Sequence, residues 1–261
     1  MKLYRAYAKV NIFLKITGMR ANYHEIISRF MRVDSLYDEL SFVAKEESED
    51  FKIIGSFSCK TEQNTIYKAY LALLNALDAD AAALLKNLMY KHGVKVDKKI
   101  PAFAGLGGGS SDGATFLKMC NEVLHLGLSQ NELAAIGIKV GADIPFFIYG
   151  YDSANVSGIG EVVEEFKEHL LDIELFTPKL EISTPKVYAI YRENFYNPID
   201  GFEVEKLKKT SSLDILKKMS ADEANDLFKP ALQEYKELKN YYKHGYYFSG
   251  SGSSFFRVKD A

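Results

Sequence analysis

The chain predicts a protein of mixed strands and helices. Three observations carry that reading. Stretches with mixed alternation and β-branched residues open the chain at residues 3–17 and return at 246–258. Segments with apolar residues at helical spacing fill much of the middle, as in Ile66, Tyr70, Leu73, Leu74 and Leu77. Between them, glycines and prolines punctuate short runs, most densely at Pro101–Ala114.

Taken in order, Lys9–Ile16 reads as strand, with Gly18 ending the run and Asn22 suited to a left-handed turn position. Residues 30–36 and 39–45 read as a strand pair about a turn at Tyr37–Asp38. Helices are predicted over Thr65–Leu77 and residues 80–90, then a short strand at Val94–Val96. From Ser111 to about Leu124 the pattern is helical. Ser129-Gln130-Asn131-Glu132 is a capping box that starts a helix at Gln130, with Gly141 placed to stop it. Ile144–Tyr149 reads as a strand, Val162–Phe166 as another, and Lys179–Thr184 as a third, with Pro185 to Tyr188 leading into a helix. Residues 211–219 and 221–240 are helical, Pro230 kinking or restarting the second. Two strands within Tyr246–Val258 are joined by Ser249–Ser253.

Composition narrows the function classes. The 261 residues suit one large domain or two ordinary ones, with a boundary expected near 150–170. The chain is 47% apolar, 13% aromatic and 26% charged, and its net charge of −2 offers no basic field for nucleic acid. No run approaches the ~20 apolar residues of a membrane span, and the first residues do not form a secretory signal. Cys59 and Cys120 lie far apart, against a disulfide framework or a structural zinc site. The expectation is a soluble cytoplasmic protein.

The chemistry concentrates at Pro101-Ala102-Phe103-Ala104-Gly105-Leu106-Gly107-Gly108-Gly109-Ser110-Ser111. Four glycines within five residues are a costly choice for a plain turn, since glycine loses the most conformational freedom on ordering. They suit a backbone that must approach a ligand closely. Successive N–H groups there, with the start of the following helix, make an anion site fit for a polyphosphate. The loop has no Gly-Lys-Ser/Thr ending, so it is not a Walker loop; read as G-x-G-x-x-G from Gly105 it meets Ser110 at the third glycine. Lys9 sits in an apolar, strand-like stretch, and Asp143 follows a glycine just ahead of an apolar run, where partial desolvation would raise its basicity. A cradle, a positive charge and a carboxylate that can take an alcohol proton are the parts phosphoryl transfer needs. Taken singly, Lys9 also fits a solvated strand face, Asp143 a turn or cap, Tyr23-His24 a surface pair, and Gly250/Gly252 a hairpin turn.

Together these segments are identifiable. Pro101–Ser111 resembles the phosphate loop of the GHMP kinases (galactokinase, homoserine, mevalonate and phosphomevalonate kinases). Ala8-Lys9-Val10-Asn11-Ile12-Phe13-Leu14, Gly18–Ile26, Gly141-Ala142-Asp143-Ile144-Pro145-Phe146-Phe147 and Gly250-Ser251-Gly252-Ser253 extend the likeness over nearly the full chain. The Gly18–Ile26 segment argues for the branch acting on a cytidyl-diphosphate derivative of methyl-erythritol in isoprenoid precursor synthesis, rather than for a homoserine or mevalonate type, which is the alternative. Two departures stand out: Ala21-Asn22 replaces the usual Asp-Gly before Tyr23-His24, and the sequence runs only to Ala261, a few residues past the last motif.

The resemblance implies an α+β fold of two domains with a cleft between them. Residues 1–160 would form a ribosomal S5 domain 2-like domain carrying the phosphate loop, and 161–261 a ferredoxin-like domain. It implies ATP and Mg2+. Pro101, Ala104, Gly105, Leu106, Gly107, Gly108, Gly109, Ser110 and Ser111 would line the phosphates, Asn64 the adenine end, and Ser111 would be a magnesium ligand. It makes Asp143 the base that takes the proton of the 2-hydroxyl and Lys9 its charge partner. Asn11, Tyr23, His24 and Tyr188 would hold the substrate, the flat side chains gripping cytosine. The partners implied are small molecules, with neither nucleic acid nor membrane, and the chain acting as a monomer or weak homodimer.

Overall fold

Two long strands run through the whole arrangement in a computed structural model that describes residues 2–259; Met1, Asp260 and Ala261 lie outside the described residues. β1 spans Tyr4–Arg20 and pairs with β2, Tyr23–Ala44. β1 continues through Gly18 instead of ending there. In the turn that follows, the left-handed backbone falls on Ala21 (φ 52°), not on Asn22. The expected turn at Tyr37–Asp38 does not exist: β2 passes straight through it, and the Asp38 side chain is fully buried. β1 is buried without a break over Ala8–Leu14 and β2 over Ile26–Met31, which hides there the alternation a half-exposed strand would show.

The chain forms two compact units that interleave in sequence. The first takes the N-terminal residues through Ala8, Asp34–Ile100 and Gly108–Gly150. In it the later half of β2 pairs antiparallel with β4, His92–Asp97, in the register Leu40 to Val96 and Phe42 to Val94. β4 in turn pairs parallel with β3, Ile53–Ile54. Five helices accompany these strands among the described residues: α1 Thr65–Leu74, α2 Ala79–Lys91, α3 Gly108–Val123, α4 Gln130–Gly137 and α5 Ile144–Tyr149. Small residues let them approach. A Cβ on Gly113 of α3 would lie 2.9 Å from Thr65 Cγ2 of α1, and one on Gly137 of α4 would lie 2.4 Å from Ile144 of α5. Phe116 of α3 meets Phe42 edge-on, with ring centres 6.3 Å apart.

Two expectations fail in this unit. Ile144–Tyr149 is a helix, not a strand: Pro145 sits in its first turn and Gly150 (φ 70°) closes it in the left-handed conformation. A short apolar run is ambiguous by periodicity, and the proline and glycine were the deciding signals. The capping box at Ser129 forms as predicted, but the helix ends at Gly137, ahead of Gly141.

The second unit takes Lys9–Val33, Pro101–Gly107 and the chain from Tyr151 onward. Here the first half of β2 pairs antiparallel with β5, Ser153–Gly158, and β5 with β6, Val162–Glu165. A separate antiparallel sheet has the order β7-β9-β8, from Ile173–Phe176, Phe255–Val258 and Tyr247–Phe248 respectively. The α-helices here are α6 Thr184–Ile190, continued by a π-helical turn at Tyr191–Phe195, α7 Gly201–Lys209, α8 Ser212–Lys218, α9 Ala221–Ala224, α10 Phe228–Glu234 and α11 Leu238–Tyr241. The expected strand at Lys179–Thr184 is irregular chain, and the expected helix over 221–240 is three short ones. α7, capped by the Asp200 side chain, went unread in the sequence. Leu14, Ile16, Ile182, Val187, Leu227, Phe228, Phe248 and Phe255 share one core.

Candidate active site

In the second unit, the last glycine motif is far more than a hairpin turn. It packs main chain against main chain on the leading half of the glycine loop. Ser254 N donates to Ala104 O (3.1 Å), and Ser249 Oγ donates to Gly105 O (3.0 Å). There is no room for side chains. A Cβ on Gly252 would stand 2.0 Å from Gly105 N, and one on Gly105 would stand 2.2 Å from Ser249 O. Gly105 and Gly107 also hold φ of 73° and 72°, which glycine alone adopts without strain. Asn225 fixes the motif from behind, its Nδ2 donating to Phe248 O and Gly250 O at 2.9 Å each.

β1 delivers Lys9 and Asn11 to the same place. Lys9 N donates to Leu106 O (3.0 Å), so the strand itself holds the loop. Both side chains are buried, and being two apart on a strand they share a face. Lys9 Nζ donates to Asn11 Oδ1 (2.6 Å) and lies 4.3 Å from the centre of the Phe30 ring. Asn11 Nδ2 donates to Ser28 Oγ (2.9 Å), and Asn11 N donates to Ser249 Oγ (3.3 Å). Ser28 bonds on to Phe13 O. Lys9, Asn11, Ser249 and Gly105 thus form one hydrogen-bonded chain.

The same unit gathers an aromatic cluster. His24 of β2 is buried with its ring centre 5.1 Å from Tyr188 of α6, at 30° to it, and 5.6 Å from Tyr191, edge-on. Tyr196 lies 6.5 Å away. Burial, with the nearby Arg192 charge adding, holds the imidazole below its ordinary range, so it is neutral at pH 7. His24 Nε2 is buried without a hydrogen-bond partner. Tyr23, on the opposite strand face, is 65% exposed. α6 is linked to the glycine motif through Thr184 Oγ1 and Ser251 Oγ, 2.6 Å apart.

In the first unit, α3 begins at Gly108, so the trailing residues of the loop are its first turn. The first N–H groups of a helix lack intrahelical acceptors and face outward with the positive end of the dipole. Gly109 is exposed there, Ser110 half-buried and Ser111 buried. Asn64 is buried and caps α1, its Oδ1 accepting from Ile66 N (2.9 Å). Asp143 is half-buried at the start of α5, where the sequence had placed it ahead of a strand. Pro101 lies exposed at the loop's start, in the second unit with Ala104 and Leu106, which are buried. The sequence reading passed over Asp38, Lys98, Asp112, Asn225, Tyr191 and Tyr196. Asp38 reads as part of a turn between two strands, and nothing local marks it as a strand residue.

A model of the GHMP kinases N terminal domain matches residues 64–151. A protein of Sulfurimonas denitrificans named 4-diphosphocytidyl-2-C-methyl-D-erythritol kinase is 80% identical over 260 residues, covering 100% of this chain and 98% of its own. The chain belongs to the 4-diphosphocytidyl-2-C-methyl-D-erythritol kinases, a branch of the GHMP kinases. A solved structure of a kinase of this family superposes with a TM-score of 0.74 at 27% identity, over 100% of this chain and 91% of that one. An L. major mevalonate kinase, 15% identical with a TM-score of 0.60 over 100% of this chain and 88% of that one, shares the fold alone. The α+β GHMP kinase fold expected from the sequence is the one present. No helix among the described residues is long and apolar enough to cross a membrane.

Proposed function

We propose that the chain is an ATP-dependent kinase that phosphorylates the 2-hydroxyl of 4-diphosphocytidyl-2-C-methyl-D-erythritol, a step in isoprenoid precursor synthesis without mevalonate. The observation that carries this reading is the 80% identity, end to end, to a kinase named for that substrate. The glycine loop holds the triphosphate on backbone N–H groups from Ala104 to Ser111, and Asn64 lies toward the adenine. Asn11, Tyr23, His24 and Tyr188 receive the substrate, the His24–Tyr188 pair offering flat faces for cytosine. A neutral His24 with an unpartnered Nε2 has a hydrogen-bonding atom left for the base edge.

Asp143 takes the proton of the 2-hydroxyl. The freed oxygen forms its bond to the γ-phosphorus as the bond from that phosphorus to the β-bridging oxygen breaks, leaving ADP. Lys9 balances the negative charge that accompanies the transfer. A preorganised charge in a site shielded from water can supply several kcal/mol, and about 1.4 kcal/mol is tenfold in rate. The residues also fit Mg2+. The Ser111 hydroxyl is an oxygen donor, the kind of ligand Mg2+ takes, and it sits in the first turn of α3, at the end of the glycine loop. Ser111 would be its protein ligand, and the ion, when bound, would supply neutralising charge for the phosphates.

The same reading divides the chain into a phosphate-loop domain at 1–160 and a second domain at 161–261. It places the protein in the cytoplasm as a monomer or weak homodimer with small-molecule partners. The test is ATP consumption with the cytidyl substrate beside homoserine and mevalonate. Turnover with the first alone is expected; turnover with either of the others instead would replace the substrate assignment.

A further inference from the structure

The first unit holds three ionisable groups that the proposed chemistry does not use. Asp38 is fully buried in the middle of β2. Its Oδ1 accepts from Lys99 N (2.5 Å) and Ile100 N (2.8 Å), the last residues before the glycine loop. Its Oδ2 accepts from Lys98 Nζ. The same ammonium lies 3.0 Å from Oδ2 of Asp112, a buried carboxyl in the first turn of α3, just after the loop. The two ends of the loop are pressed together here: a Cβ on Gly108 would stand 2.8 Å from Ile100 Cγ2 and 3.0 Å from Lys98 Nζ.

We propose that Asp38 is a positioning residue for the phosphate loop, fixing the chain before the glycines by its backbone bonds and the helix start after them through Lys98 and Asp112. A clamp for stability alone would not need this arrangement. It places two carboxyl groups out of water at one ammonium and leaves Asp112 Oδ1 buried without a hydrogen-bond partner, which costs free energy. What the cluster secures is the separation and direction of the loop's two ends, and with them the aim of its N–H groups. The inference rests on the reading that this loop holds a nucleotide's phosphates.

Three variants test it by titration with a non-hydrolysable ATP analogue and by steady-state kinetics. In Asp38→Asn the amide oxygen still accepts from Lys99 N and Ile100 N, but the Nδ2 group cannot accept from Lys98, so the link is cut while the backbone bonds stay. Asp112→Ala cuts it from the other side, and Asp112→Asn keeps an acceptor for Lys98. The first two should each weaken analogue binding about tenfold or more, with the KM for the cytidyl substrate within about twofold of the parent. Asp112→Asn should stay within about threefold, and the Asp38→Asn/Asp112→Ala double should be little worse than the poorer single, because both cut one link. Analogue affinity in Asp112→Ala within threefold of the parent, or equal loss for both substrates, overturns the proposal. If Asp38→Asn does not fold, the Asp112 pair decides by the same criteria. A parent protein that binds no nucleotide would remove the kinase reading, and this proposal with it; a parent that binds normally isolates the failure to the clamp.

Discussion

The two halves of the glycine loop are held by different physics. The leading half, up to Gly107, is packed main chain to main chain against Ser249–Ser254 and the start of β1, with no side chain between the strands of backbone at Gly105 and Gly252. The trailing half, from Gly108, is set by ionisable side chains drawn together away from water, Asp38, Lys98 and Asp112. Close backbone approach demands glycine at each contact, so it leaves a signature in the sequence even between residues far apart. A charge network demands only that its members meet in space, and they are ordinary residues until the fold brings them together.

That contrast can be broken at its strongest point first. Gly252 does not need glycine for its backbone angle, so only space keeps a side chain out. Gly252→Ala would drive a Cβ into the Gly105 amide, where backbone on both sides must move. Overpacking of this kind costs about 3 kcal/mol or more. The expected result is a large drop in Tm and a loss of most kinase activity. Gly109→Ala sharpens the comparison. Its nearest neighbour would be Thr65 Oγ1 at 3.1 Å, the end of a side chain that can rotate, and alanine favours the helix by up to about 1 kcal/mol. Thermal melts of the pair should therefore separate widely, with Gly109→Ala at or above the parent. Equal melting of the two would mean that crowding at Gly252 does not hold the leading half.

The smallest effect is expected at the aromatic cluster, which is joined to the loop's support by the Thr184–Ser251 hydroxyl pair and by the core that Tyr191 shares with Phe248. Tyr188→Ala removes a ring from beside His24 and should raise the KM for the cytidyl substrate about tenfold, on the scale of one stacked base. The KM for ATP should change less than twofold. Equal damage to both values would argue against a base platform at His24 and Tyr188.

The sequence spoke clearly where local chemistry decided the structure. Ser129 and Glu132 form their capping box, and Lys9 and Asn11 share a strand face as their spacing requires. It misled where tertiary context overrode local pattern. Tyr37–Asp38 looks like a turn because aspartate usually prefers one, yet its partners, Lys98 and the amides of Lys99 and Ile100, lie about sixty residues away and make a strand interior habitable for a carboxylate. Ile144–Tyr149 looks like a strand by composition, and only Pro145 and Gly150 mark it as a helix. At Ala21-Asn22 the left-handed position lies one residue earlier, on an alanine that no propensity would nominate. Asn225 is one polar residue among Asp222, Glu223 and Asp226, and its role appears only once Phe248 and Gly250 are beside it.

The most direct test of the central claim, that Asp143 and Lys9 carry the phosphoryl transfer, is the single-turnover rate of Asp143→Ala and Lys9→Ala with both substrates saturating, beside the Tm of each. The account predicts folded proteins that bind ATP and whose rate falls by about a thousandfold or more, the loss of several kcal/mol of transition-state stabilisation. A folded Asp143→Ala or Lys9→Ala variant that turns over within about tenfold of the parent would contradict it.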